Sequence, residues 1–341
     1  MNAVAAAEPI ALPDPALPRL ALAIDPLTAR KQLKRRLPRL SGAGKLRLKA
    51  LRLTRLKPGR RCVVEYDVEV DRPGLPRHLV TILGKMRARR SGNEGYRLQQ
   101  AFWEAGFSSD SPDQISVPEP LGVIAAFQMW FQRKVPGIMA DQALAGENGV
   151  ALARRIAEAI HKVHRAHIPT KKIHTIADEL QILSDCLEQV GRLRPLWSQR
   201  LERLMSACRE LASSVPEPIP RGIHRDFYAS QVIIEGWRLW LIDFDLYCQG
   251  DPALDAGNFI AHITEQALRN HGRANALEQV EGALEDRFVE LCGESSRPAV
   301  RAYTTLTLAR HIFLSTKFPD RHHLTEPLLK LSESRVRSGR K

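Results

Sequence analysis

The side chains of this 341-residue chain that could do chemistry are concentrated in Arg221 to Asp255, RGIHRDFYASQVIIEGWRLWLIDFDLYCQGDPALD. His224-Arg225-Asp226 opens the stretch, Gln231 follows five residues after the aspartate, and two apolar runs separated by Glu235-Gly236 lead to Asp243 and Asp245. Phosphoryl transfer uses such a layout. One carboxylate orients an attacking hydroxyl, and an amide with a second carboxylate holds Mg²⁺ on nucleotide phosphates. A hairpin between Gln231 and Asp243 brings the two halves together.

The run H-R-D-F-Y-A-S-Q followed by D-F-D is similar to the protein-kinase pattern H-R-D-x-x-x-x-N followed by D-F-G. With the short gap to Gly250, Asp251-Pro252 and Asp255, it resembles the aminoglycoside phosphotransferase and choline kinase group, whose pattern is H-G-D-x-x-x-x-N, I-D-F/W-D/E and D-P-x-x-D. The chain supplies His224, Asp226, Ile242-Asp243-Phe244-Asp245, Asp251-Pro252 and Asp255. It departs at Arg225, where the family usually has Gly, and at Gln231, where it has Asn. Gln presents the same carbonyl on one more methylene, and octahedral Mg²⁺ tolerates little misplacement.

The resemblance implies an α+β, protein-kinase-like two-lobed fold: a small antiparallel-sheet N-terminal lobe and a larger, mainly helical C-terminal lobe. It further implies a Mg²⁺-dependent kinase that passes the γ-phosphate of ATP or GTP to a hydroxyl of a sugar, amino alcohol or aminoglycoside-like molecule. Asp226 then orients the hydroxyl, His224 braces the loop, and Arg225 pairs with a loop carboxylate or an acidic substrate group. Asp243 and Gln231 hold Mg²⁺, with Asp245 on a second metal or the substrate. Asp255 reads as a helix cap or a tether for the loop. The alternative is a nucleotide-binding scaffold, a pseudokinase whose metal site Gln231 has weakened. A protein acceptor is disfavoured, because Leu246 to Gly250 leaves no room for a long peptide-docking segment.

The chain is 44% hydrophobic and 26% charged, long enough for two domains or one two-lobed unit. It has no apolar run of the length a membrane span needs, and its N-terminus is interrupted by Glu8, Pro9, Pro13, Asp14 and Pro15, unlike a secretory signal. The five cysteines are dispersed without C-x-x-C pairing, which points to reduced thiols in the cytoplasm. Net charge is +13, and 24 Lys+Arg against 12 Asp+Glu fall in residues 1–140, leaving 27 against 26 in residues 141–341. A near-neutral C-terminal part does not favour a polycationic aminoglycoside acceptor. No acidic residue occurs from Pro26 to Val64, and RKQLKRR at Arg30 to Arg36 reads as a solvated basic helix ahead of a nucleic-acid or lipid patch, so a nucleic-acid partner is not expected.

Residues 1–40 read as a basic, Pro/Ala-rich extension, with 1–24 flexible or loosely docked. Residues 41–135 form the N-terminal lobe: strands at Lys45 to Leu56, Cys62 to Val70 and His78 to Arg87, a helix from Glu94 to Ala105 and a strand from Val123 to Phe131. On the family resemblance, Gly59 and Arg60 in the 57–61 turn cover the nucleotide phosphates, Lys85 contacts them from the third strand with Glu94 as its partner, and Phe131, Lys134 and Val135 form the hinge for the base. The domain boundary falls near Pro136. Residues 136–333 form the helical lobe, with helices over Gly149 to Ala166 and residues 176–213, then Ala256 to Ala267, Leu277 to Cys292 and Ala299 to Phe318. His161, His164 and His167 read as core or capping residues, since zinc needs four well-spaced ligands. Residues 334–341 read as a disordered basic tail.

Overall fold

The computed structural model describes residues 14–41, 44–74, 76–88 and 92–338. The chain divides into two compact units, the first reaching Pro136 and the second starting at Gly137.

In the first unit, helices α1 (Leu20–Ile24), α2 (Pro26–Arg36) and α3 (Pro38–Ser41) precede strands β1 (Lys45–Lys57), β2 (Arg61–Asp71) and β3 (His78–Arg87). Helix α4 (Asn93–Phe102) and strands β4 (Ile115–Ser116), β5 (Pro120–Ile124) and β6 (Met129–Arg133) follow. Five of these strands make an antiparallel sheet in the order β1-β2-β3-β6-β5. On β2, Cys62, Val64, Tyr66, Val68 and Val70 are all buried, because alternate residues of a strand share one face.

That face is covered by the segment expected to be an extension. Leu17, Leu20, Ala23, Ala29, Leu33, Leu37 and Leu40 are buried in the same core as β2, and Tyr66 Oη donates to Ala23 O at 2.9 Å. Helix α1 spans five residues, too few to display a 3.6-residue period. Asp25 caps α2, accepting from Thr28 N at 2.7 Å with Pro26 in the first turn. Residues 1–13 of the expected extension lie outside the described residues. The expected strand Val123 to Phe131 is instead a hairpin, β5 and β6 joined by a 3₁₀ turn at Ala125–Phe127 and Gln128 at φ 54°. No Gly or Pro marks that turn in the sequence.

The second unit begins with β7 (Ile138–Met139), helices α5 (Gly149–Arg165), α6 (Ile176–Leu193) and α7 (Ser198–Ser213), and strand β8 (Arg221–Ile223). Strands β9 (Val232–Glu235), β10 (Arg238–Leu241) and β11 (Cys248–Gly250) lead to helices α8 (Pro252–His271), α9 (Glu278–Cys292), α10 (Arg297–Ser315) and α11 (Thr325–Ser338). Leu152, Ile156, Ile160 and Val163 bury one stripe of α5, as their spacing predicts. The expected helical region 176–213 breaks at Arg194-Pro195, since proline disfavours the helical region for the residue before it. The expected disordered tail is helical through Ser338, and Leu328, Leu329, Ser332 and Val336 are buried on one stripe of α11. Residues 339–341 lie outside the described residues. Helices α8 and α10 meet closely at Gly257, where a Cβ would stand 2.7 Å from Val300 O. No helix among the described residues is long and apolar enough to cross a membrane.

Candidate active site

The sequence DPALD starts α8 and sets the loop before it. Asp251 is the N-cap, its Oδ1 accepting from Ala253 N at 2.9 Å. One turn later Asp255, fully buried, collects three donors: His224 N at 2.8 Å, Arg225 N at 2.6 Å and His164 Nε2 at 2.9 Å. Of the two roles read from the sequence, the cap belongs to Asp251 and the tether to Asp255. His224 is itself buried, with Nε2 donating to Ile242 O at 2.9 Å and its ring 4.8 Å from that of Phe244.

Arg225 adopts φ 71°, in the left-handed region. Glycine enters that region freely, whereas a residue with a Cβ costs about 1–2 kcal/mol there, which gives a physical reason for the Gly usual at this position. The charge-assisted bond from Arg225 N to Asp255 helps offset the strain.

Asn258, three residues past Asp255, holds the other side of the loop. Its Nδ2 donates to Phe227 O at 2.8 Å, while its Oδ1 accepts from Arg310 Nη2 at 2.9 Å. Arg310 Nη1 also donates to Glu179 Oε2 at 3.2 Å, and Glu179 Oε1 accepts from His174 Nε2 at 2.6 Å. Burial pushes the Glu179 carboxyl up, but the His174 hydrogen bond and the Arg310 charge outweigh it, so its pKa lies below the ordinary value. Asp226 therefore sits between two residues, Arg225 and Phe227, whose backbone groups are both bonded to side chains of α8. Asn258, Arg310, Glu179 and His174 were absent from the sequence reading. His174 and Glu179 are far from Asn258 and Arg310 in the chain, and nothing in the sequence joins the two groups.

Beyond the loop, Gln231 is buried, and Gln231 O accepts from Ile242 N at 3.0 Å where β9 and β10 open. Gln231 thus stands opposite Ile242, one residue from Asp243. Asp243 is left-handed at φ 64° and opens the short turn Phe244–Leu246; it and Asp245 are both half-buried. Next to Gln231, Ser230 Oγ donates to Asp141 Oδ2 at 2.9 Å. Among the described residues no cluster of three or more His, Cys, Asp or Glu is arranged to hold a metal. Mg²⁺ at phosphates needs only one or two carboxylates, because waters and phosphate oxygens complete its shell. The donors on these residues, one carboxamide carbonyl and two carboxylates, are hard oxygens of the kind Mg²⁺ takes. The three histidines do not form a site: His164 serves Asp255, and His161 Nδ1 lies 3.4 Å from Cys292 Sγ.

The remaining candidates are in the first unit. Lys85 lies on β3, with Nζ 4.9 Å from the Trp130 ring centroid. Helix α4 approaches that indole closely, for a Cβ on Gly95 would meet Trp130 Nε1 at 2.6 Å. Trp130 thus connects Lys85 with the helix carrying Glu94, which is exposed in the first turn. Gly59 has φ 69° at the exposed 57–61 turn, and its N–H is engaged by Asp14 Oδ2 at 2.8 Å; the neighbouring Arg60 N donates to Lys57 O. Phe131 lies mid-sheet, its backbone paired with Gly84 of β3 and Gly122 of β5 and its ring wholly buried, so its side chain is core. Lys134 Nζ is held by Glu65 at 2.9 Å and its N–H by Thr81 O, leaving Val135 as the next residue along the expected hinge.

The family model for the APH phosphotransferase enzyme family matches residues 84–288. The chain belongs to this family. Among solved structures, this phosphotransferase is similar to a choline/ethanolamine kinase family protein from Mesorhizobium loti at 16% identity, covering 93% of each chain with a TM-score of 0.57. It is similar also to a thermostable mutant of aminoglycoside phosphotransferase APH(4)-Ia in ternary complex with AMP-PNP and hygromycin B, at 17% identity and TM-score 0.57, covering 92% of this chain and 98% of that one. Spectinomycin phosphotransferase APH(9)-Ia, in complex with ADP and spectinomycin, aligns at 10% identity over 92% and 97% with a TM-score of 0.53. These likenesses give this phosphotransferase the protein-kinase-like fold, an antiparallel-sheet N-terminal part with a helical C-terminal part. Comparison with curated protein sequences finds no match.

Proposed function

We propose that this phosphotransferase transfers the γ-phosphate of ATP, or of GTP, to a hydroxyl of a small molecule that is not strongly cationic. The observation carrying the proposal is the double clamp on the loop, Asp255 on the amides of His224 and Arg225 and Asn258 on the carbonyl of Phe227, with Asp226 between them. Phosphoryl transfer depends chiefly on positioning and charge neutralisation, and a clamped carboxylate supplies positioning. The Asp226 carboxylate accepts a hydrogen bond from the acceptor hydroxyl and aims its oxygen. As the new oxygen–phosphorus bond forms, the bond to the β-phosphate oxygen breaks, the hydroxyl proton leaves through Asp226, and the nucleoside diphosphate departs. Asp243 and Gln231, with Asp245, would hold Mg²⁺, which supplies charge neutralisation at the phosphates. Lys85 contributes a cation, its ammonium lying 4.9 Å from the Trp130 ring centroid. The AMP-PNP and ADP present in the related structures support a nucleotide donor. Residues 141–341 carry nearly balanced charge, which favours a neutral or weakly charged acceptor such as a sugar. The clamped loop also favours an active enzyme over a scaffold.

Thermal-shift titration with ATP and GTP, with and without Mg²⁺, tests the reading. A ligand that binds only the folded state adds about 2.7 kcal/mol at a hundred times its Kd. The shift should require Mg²⁺ and vanish in Asp243→Asn, while Asp226→Asn should keep it and lower turnover roughly 10²–10⁴-fold. Absence of a shift with both nucleotides would sink the proposal.

A further inference from the structure

We infer that the N-terminal unit carries a second anion site, a hollow of about 350 Å³ between α2 and β1, built for a small, phosphate-dense molecule. Its lining is Leu27, Arg30, Lys31 and Lys34 from the helix and Lys45, Leu46 and Arg47 from the strand. The helix residues stand at i, i+3, i+4 and i+7, a single stripe of α2, opposite the Ala29 and Leu33 stripe buried in the core. On β1, Lys45 and Arg47 share one face, since strand side chains alternate. The fold therefore turns one cationic helix stripe toward one cationic strand face.

The charges are not neutralised from within. Among the described residues, Arg30, Lys31, Lys34 and Lys45 have no carboxylate partner, and Arg47 reaches only Glu69, at 3.8 Å. Glu69 is drawn more strongly to Lys49, at 3.0 Å, and Asp25 at the start of α2 is occupied by Thr28 N. Like charges four apart on a helix repel, and the strand cations add to that repulsion. The buried anchors Ala29, Leu33 and Leu46 hold the arrangement together regardless. A multivalent anion relieves the repulsion and releases the counterions of five cations at once.

The lining also selects among anions. It contains no aromatic side chain, whereas single-stranded nucleic acids are gripped by base stacking on aromatic rings. The only exposed apolar residue is Leu27, 79% accessible, which is little for a membrane surface. Charge alone defines the hollow, as suits a bisphosphate or polyphosphate of compact size.

Isothermal titration of the full chain with inorganic tripolyphosphate, combined with amine-reactive footprinting, tests the site. Lys31→Glu/Lys34→Glu changes exposed residues only and should weaken binding at least tenfold. Lys85→Met should leave the same binding event unchanged. Tripolyphosphate should protect Lys31, Lys34 and Lys45 from modification and leave exposed Lys172 reactive. Loss of binding in Lys85→Met with no protection at Lys31, Lys34 and Lys45 overturns the inference and assigns the anion to the nucleotide region. Tighter binding of a single-stranded oligoribonucleotide, or of phosphatidylserine vesicles, that is lost on the charge reversal also overturns it, in favour of a macromolecular partner. The result is independent of kinase activity, so the two proposals fail separately.

Discussion

The loop around Asp226 and the turn at 57–61 are both short connections bearing predicted site residues, yet they are held in opposite ways. The loop has a fully buried carboxylate on two of its amides and a buried carboxamide on one of its carbonyls. The turn is exposed, and the link from Gly59 N to Asp14 crosses to a carboxylate at the surface. Buried polar bonds are costly to break because each broken partner is left dry, whereas water replaces a broken bond at the surface. The difference separates a preorganised loop from an exposed turn whose internal bond water can replace.

Breaking the loop's anchor should have the largest effect. Asp255→Ala strands two amide groups and the His164 ring, and should cost about 3–5 kcal/mol, read as the shift of the urea midpoint, with turnover falling further than substrate affinity. Acid should have an intermediate effect. Tyr228 of the loop stacks on His262 at 4.6 Å, and His262 meets His311 edge-on at 4.5 Å. Burial, reinforced by Arg310, Arg321 and Arg269, pushes His311 down to about 3, and His262 is lowered in the same direction. Histidines kept neutral in the fold stabilise it fully above their unfolded pKa, about 6.5, and that stability is lost as pH falls toward their folded values. Each contributes a slope of up to about 1.4 kcal/mol per pH unit in that window. Chemical denaturation at pH 7.5, 6.5 and 5.5 should show this limb, and His311→Gln should make it shallower by about one proton. The smallest effect should come from the turn, where Asp14→Ala should change stability by less than about 0.5 kcal/mol while tightening the nucleotide if Gly59 N contacts phosphate. A large loss of stability in Asp14→Ala would erase the contrast.

Much of the loop was legible because its parts are close in sequence. His224, Asp226, Asp243 and Asp255 fall within 35 residues, and a hairpin needs only two apolar runs and Glu235-Gly236 between them. Arg225 looked like a departure from the pattern, and only its φ shows which physical demand the usual glycine meets. The outer support was not legible, since Glu179, Asn258 and Arg310 come from three helices whose adjacency is decided by packing, including the close approach at Gly257. In the N-terminal segment the basic helix at Arg30 to Arg36 was legible, but its packing was not. The five residues of α1 carry no period, and burial against β2 decided where both helices sit.

The carboxylate of Asp255 has a consequence in time as well as in space. Two successive loop amides end on one oxygen pair that is sealed from water and shared with α5. Their protons should exchange with solvent only when the loop breaks away from that buried carboxylate, so the segment carrying Asp226, irregular in outline, should show the slow exchange of regular secondary structure.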